Sequence, residues 1–143
     1  MSRWVNIVGA IQIDTNTLED ANILTQEVNE YIKNAPEITG SEENAQAYFI
    51  LQNGYNYFTN EIADNGDMAE LRYQTCGVIT IVGDLRDRDY YQTREEVINF
   101  AKYIAQQYII LNGSFSISDS YLGKFTPVLP EAIVPREEEN YEC

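Results

Sequence analysis

Residues 73–108 read YQTCGVITIVGDLRDRDYYQTREEVINFAKYIAQQY, and the two periodicities in this stretch decide the fold. From Gln74 to Leu85 the chain is rich in β-branched residues: Thr75, Val78, Ile79, Thr80, Ile81 and Val82. Such side chains fit a pleated surface. The run Val78–Val82 has so few polar breaks that it predicts a central strand buried on both faces. The polar residues Gly83–Asp89 then lead out of the sheet. Thr93-Arg94-Glu95-Glu96 matches a capping box, in which Thr93 accepts from the Glu96 amide and Glu96 reaches back. Val97, Phe100, Ala101, Ile104, Ala105 and Tyr108 follow at helical spacing. Their single apolar stripe must lie on a sheet.

Upstream, residues 3–13 alternate as a strand, with Val5, Ile7, Ile11 and Ile13 on one face and Trp4, Asn6 and Gln12 on the other. Gly9 marks a bulge or a close packing point. A helix is expected from Thr17, supported by Asp20, with Ala21, Leu24, Val28, Tyr31, Ile32 and Ala35 as its stripe and Pro36 as its end. Residues 37–44 form a polar loop. Ala45–Gln52 reads as a strand, Asn53-Gly54 as a hairpin turn, Tyr55–Thr59 as the returning strand and residues 60–69 as an acidic loop. Downstream, Asn112-Gly113 is expected to turn the chain into a strand over Ser114–Tyr121. There Phe115, Ile117 and Tyr121 oppose a row of serines, as on a half-exposed strand near an edge.

This order predicts an α+β fold. It is the ferredoxin-like split βαβ pattern, with two helices on one sheet face and an extra β-hairpin strand. The opposite sheet face has no helix to cover it. Residues 1–121 form one domain. Residues 122–143, with Pro127, Pro130, Pro135 and the acidic Glu137–Glu139, form an extended arm.

The 143 residues carry 23 acids against 9 bases, a net charge of −14, and 44% are hydrophobic. A chain so acidic is not drawn to a nucleic-acid backbone by long-range attraction, whereas a basic protein surface attracts it. A bland alternative is that the charge serves solubility. No apolar run approaches the ~20 residues that span a bilayer. Residues 4–13 alternate instead of forming a signal-peptide block. Cys76 and Cys143 make no disulfide framework, which points to a reducing compartment, the cytoplasm.

There is no histidine. That removes the commonest general base, the histidine-activated nucleophiles and most zinc sites, so no catalytic residue and no cofactor is assigned. Asp84, Asp87 and Asp89, with Glu95 and Glu96, could gather as oxygen ligands for a divalent ion, but Arg86 and Arg88 interleave and the spacing matches no standard loop. Arg72, Arg86, Arg88 and Arg94, near Tyr90 and Tyr91, could make an anion or nucleotide pocket; the alternative is pairing with the neighbouring aspartates. The remaining signal is acid placed in connections. Glu42, Glu43, Glu61, Asp64, Asp67, Asp84, Asp87 and Asp89 form a candidate acidic surface that could imitate a phosphate backbone in a basic groove.

At Ile38-Thr39-Gly40-Ser41-Glu42-Glu43-Asn44-Ala45 and at Ile79–Arg88, and in the opening Arg3-Trp4-Val5, the chain resembles a group of small accessory proteins of tailed phages infecting Firmicutes. Members often carry a cysteine-rich insert after the hairpin, where this chain has a short acidic loop. The resemblance implies no catalytic residues. It implies a setting in which proteins of this size and acidity block host defence, anti-CRISPR proteins among them. The expected function is therefore a phage-type inhibitor that binds a basic protein surface. The alternatives are a nucleotide binder using Arg72, Arg86 and Arg88, and an assembly protein whose bare sheet face drives homo-oligomerisation.

Overall fold

The computed structural model describes residues 2–15, 21–51 and 77–125. The hairpin at 53–59, the acidic loop with Glu61, Asp64 and Asp67, Arg72, Cys76, the expected helix start at Thr17 and the arm beyond residue 125 lie outside these. The elements are β1 (Trp4–Ile13), α1 (Ala21–Lys33), β2 (Gln46–Leu51), β3 (Gly77–Arg86), α2 (Tyr90–Gln107), β4 (Ile110–Asp119) and β5 (Gly123–Phe125). The strands form one antiparallel sheet in the order β2-β3-β1-β4-β5. Each strand–helix–strand connection brackets a strand from elsewhere in the chain: β1–α1–β2 encloses β3, and β3–α2–β4 encloses β1.

Alternation sorts the strand residues. Val5, Ile7, Ile11 and Ile13 of β1, Phe49 of β2, Ile79, Ile81 and Leu85 of β3, and Phe115 and Ile117 of β4 are buried. They meet Leu24, Val28 and Ile32 of α1 and Val97, Phe100, Ala101 and Ile104 of α2 in one core. Both helices therefore cover the same sheet face. They also clamp each other: the Tyr31 and Tyr103 rings stack at 4.3 Å. Each phenol donates to the other's backbone carbonyl, at 2.7 and 2.9 Å. Burial, and then Tyr103, pushes the Tyr31 phenol above its ordinary pKa. Gly9 is a close packing point and not a bulge. A Cβ there would lie 2.3 Å from the Phe115 ring, while the β1–β4 register shift falls at Gln12/Ile13.

Four expectations are corrected. The β3 strand is central in the sheet but buried on one face only: Val82 is 52% exposed, and Val8 beside it is 60% exposed. No helix among the described residues crosses that side, so the unbroken apolar run marked a central strand and not one buried on both faces. The turn at Asn112-Gly113 does not exist. Both residues sit inside β4, paired with Gln12 and Ile11, because β1 is long enough to hold them. Tyr121 lies beyond β4, exposed. The capping box is not formed either. The N-cap of α2 is Asp89, whose carboxylate accepts from the Gln92 amide at 2.8 Å. Thr93 lies one turn inside, fully buried, and its hydroxyl has no partner among the described residues.

Candidate functional site

The ends of β3 and β4, the start of β1 and the loop 37–45 converge at one end of the sheet. Glu42, Asp84, Asp87, Asp89, Arg86 and Arg88 are gathered there. β3 continues through Arg86, and Asp87 then reverses the chain in the left-handed region, with φ 62°. Aspartate is among the few residues that tolerate this conformation. The Asp87 amide donates to the Arg3 carbonyl at 2.6 Å, and its carboxylate accepts from the Ser41 hydroxyl at 3.0 Å.

The acids and bases at this end are spent largely on one another. Arg86 pairs with Glu42 at 2.5 Å, donates to the Ser2 hydroxyl at 3.1 Å and lies 6.0 Å from the centre of the Trp4 ring. Arg88 donates to the Thr39 hydroxyl at 3.2 Å and to the Asp87 carbonyl at 3.0 Å. Thr39 in turn gives its amide and hydroxyl to Glu96, at 2.8 and 3.1 Å. Glu96 thus anchors the loop 37–45 to α2 instead of closing the helix start. The Asp84 carboxylate accepts from the Asn6 side chain. Tyr90 and Tyr91 belong to the first turn of α2, edge to face at 5.1 Å. Glu43 is exposed. Among the described residues, no three carboxylates or thiols gather as a metal ion would require.

The residue that organises this end is Asp119, which the sequence reading left unassigned. It is 2% exposed. One carboxylate oxygen accepts from Arg3 Nε at 3.3 Å and from the amides of Tyr121 and Leu122 at 2.7 and 3.2 Å. The other accepts from Arg3 Nη2 at 3.1 Å and from the Tyr90 amide at 2.7 Å. Burial alone would raise its pKa, but the Arg3 guanidinium and the Tyr121, Leu122 and Tyr90 amides outweigh it and hold the carboxyl below its ordinary range. Arg3 also lies 4.6 Å from the centre of the Tyr121 ring. One carboxylate so joins the N-terminal segment, the start of α2 and the turn after β4. A signal was present: Asp119 continues the alternation of Phe115 and Ile117 onto the buried face, where an unpaired carboxylate could not stay.

Charge is unevenly spread along the chain. The described residues hold 12 acids against 7 bases, and the remainder holds 11 against 2. On the sheet face opposite α1 and α2, Val8, Tyr48, Ile50 and Val82 are exposed beside Trp4, and β4 contributes Ser114, Ser116 and Ser118 to the same face. No helix among the described residues is long and apolar enough to cross a membrane. Comparisons with protein families, with curated proteins and with solved structures found no match.

Proposed function

We propose that this chain is a binding protein that acts on a basic protein surface and performs no covalent chemistry, in the manner of a phage-type inhibitor of a host-defence or nucleic-acid-processing protein. The supporting observation is where the charge sits. The described frame carries net −5, and the remaining 49 residues carry −9, from 11 acids and 2 bases. A frame most of whose acids are engaged with local partners, joined to segments whose sequence has few counter-charges, suits presentation of negative charge to a basic groove. The ferredoxin-like reading of the β-α-β-β-α-β order belongs to the same proposal. The engagement of Arg86 with Glu42 and of Arg88 with Thr39 weakens the nucleotide-pocket alternative.

The test is affinity capture from host lysate at low salt, followed by titration of the purified partner at about 50 and 300 mM salt. Affinity should fall by at least about tenfold across that range, as expected where charge drives association. Affinity indifferent to salt, or capture of no basic protein, would refute the reading. A second reading has one observation in its favour: the exposed Val8, Tyr48, Ile50 and Val82 could seat another copy of the chain. Light scattering decides it, since a monomer at 100 µM-scale concentration removes it.

A further inference from the structure

Among the described residues no strand pairs with the outer edge of β2, and that edge carries a gap bounded on both sides. Asn29 of α1 turns its carboxamide onto Phe49, accepting from the Phe49 amide at 2.9 Å and donating to the Phe49 carbonyl at 3.3 Å. The Phe49 backbone therefore points away from β3, and by strand alternation so does that of Ala47. At the other side, the Ala45 amide is held by the Ile38 carbonyl at 2.8 Å. Between these two closures, the N–H and C=O of Ala47 have no partner among the described residues. They border a groove of about 480 Å³ between the end of α1 and β2. Its apolar wall includes Ile32, Ile38, Ile81 and Phe100, and Ala47 itself, with its single methyl, leaves the space open.

We propose that this groove takes an extended peptide segment of a basic partner, with one residue pairing its backbone to Ala47 and an apolar side chain entering the groove. An unpaired strand edge is a template for another strand, and a flanking pocket selects its side chain. Charge favours lysine or arginine beside that apolar residue. Glu37 lines the groove, exposed Glu43 lies in the loop that closes it, and Lys33, the groove-lining cation among the described residues, pairs with Glu30 at 3.2 Å. Asn29 and Ile38 limit the backbone pairing to a single residue, so specificity falls on the side chain. The inference rests on the basic-partner reading and names the place where the partner is held.

The probe is a labelled peptide, acetyl-Lys-Val-Arg-Leu-Lys-Val-Arg-amide, followed by fluorescence anisotropy at low salt. An otherwise identical peptide with glutamate in place of lysine and arginine is the control. The basic peptide should bind and the acidic one should not. N-methylation at one position of the peptide should weaken binding at least tenfold, and Ala47→Pro should do the same without changing the melting temperature. Proline suits an edge position whose N–H faces outward, and it removes that donor alone. If Ala47→Pro does not fold, the N-methyl scan on the native chain decides. Binding that ignores both changes would leave the charge reading intact and overturn the groove. No binding of the basic peptide at 1 mM-scale concentration would also overturn the groove, while the salt series above judges the basic-surface reading on its own.

Discussion

Replacing Asp119 with asparagine should be among the most damaging isosteric changes available to this chain. The two carboxylate oxygens accept from Arg3, Tyr90, Tyr121 and Leu122, and the side chain is fully buried. An asparagine can keep only one acceptor oxygen. If that oxygen stays with Tyr121 and Leu122, its NH2 group faces the Tyr90 amide and the Arg3 guanidinium, donor against donor. Each lost hydrogen bond to a charged group costs about 1.5–3 kcal/mol, and breaking a buried ion pair from one side costs about 3–5 kcal/mol. Arg3 is 30% exposed and recovers part of its hydration, so a net loss of about 3 kcal/mol is expected. Urea denaturation at neutral pH should show it as a lower midpoint with an unchanged slope. Arg3→Met should cost less, because the backbone amides still hold the carboxylate. The pH dependence follows from the lowered pKa. A carboxyl that ionises more readily folded than unfolded stabilises above its unfolded value of about 3.9, and that contribution is lost as pH falls through the folded value. Native stability should therefore decline below about pH 4, and Asp119→Asn should remove part of that decline. A loss under about 1 kcal/mol, or an acid limb identical in the variant, would show that Asp119 does not hold this end together.

Two further changes probe the core. The buried Thr93 hydroxyl has no partner among the described residues, so Thr93→Val should stabilise the chain by about 1 kcal/mol in the same urea assay; destabilisation would mean the hydroxyl is satisfied in solution. Gly9→Ala should cost about 1–3 kcal/mol, because the new methyl meets the Phe115 ring, and pairing it with Phe115→Leu should recover part of the loss; a neutral Gly9→Ala would show that the ring can move aside.

Where periodicity carried the information, the sequence was legible. The stripes of α1 and α2 and the alternation of β1 appear in the core, except that Ala21 is exposed, and Thr93 and Ile98 are buried α2 residues that the stripe omitted. What failed was local chemistry read without its tertiary competitor. Thr93 and Glu96 match a capping box, but Asp89 caps earlier and Glu96 is claimed by Thr39. Asn112-Gly113 has turn chemistry, but pairing with β1 overrides it. At the candidate site, the sequence identified the charged residues near the end of β3 without showing which neighbour each one serves. Those partners, Arg3, Ser41 and Thr39, come from distant parts of the chain. Asp119 was missed because its donors are mostly backbone amides, which no residue pattern records.

The position of β1 constrains the order in which this molecule can be assembled. Among the described strands it comes first in the chain, yet it lies between β3 and β4, and the Trp4 amide meets the hydroxyl of Ser120, 116 positions later. Until β4 has been synthesised, an apolar strand waits with at least one edge open. A topology dominated by such long-range pairing closes slowly, because loop entropy is lost before the contacts form. Completion of the sheet thus waits on β4, and of the described strands β1 is the one that stands longest without both neighbours.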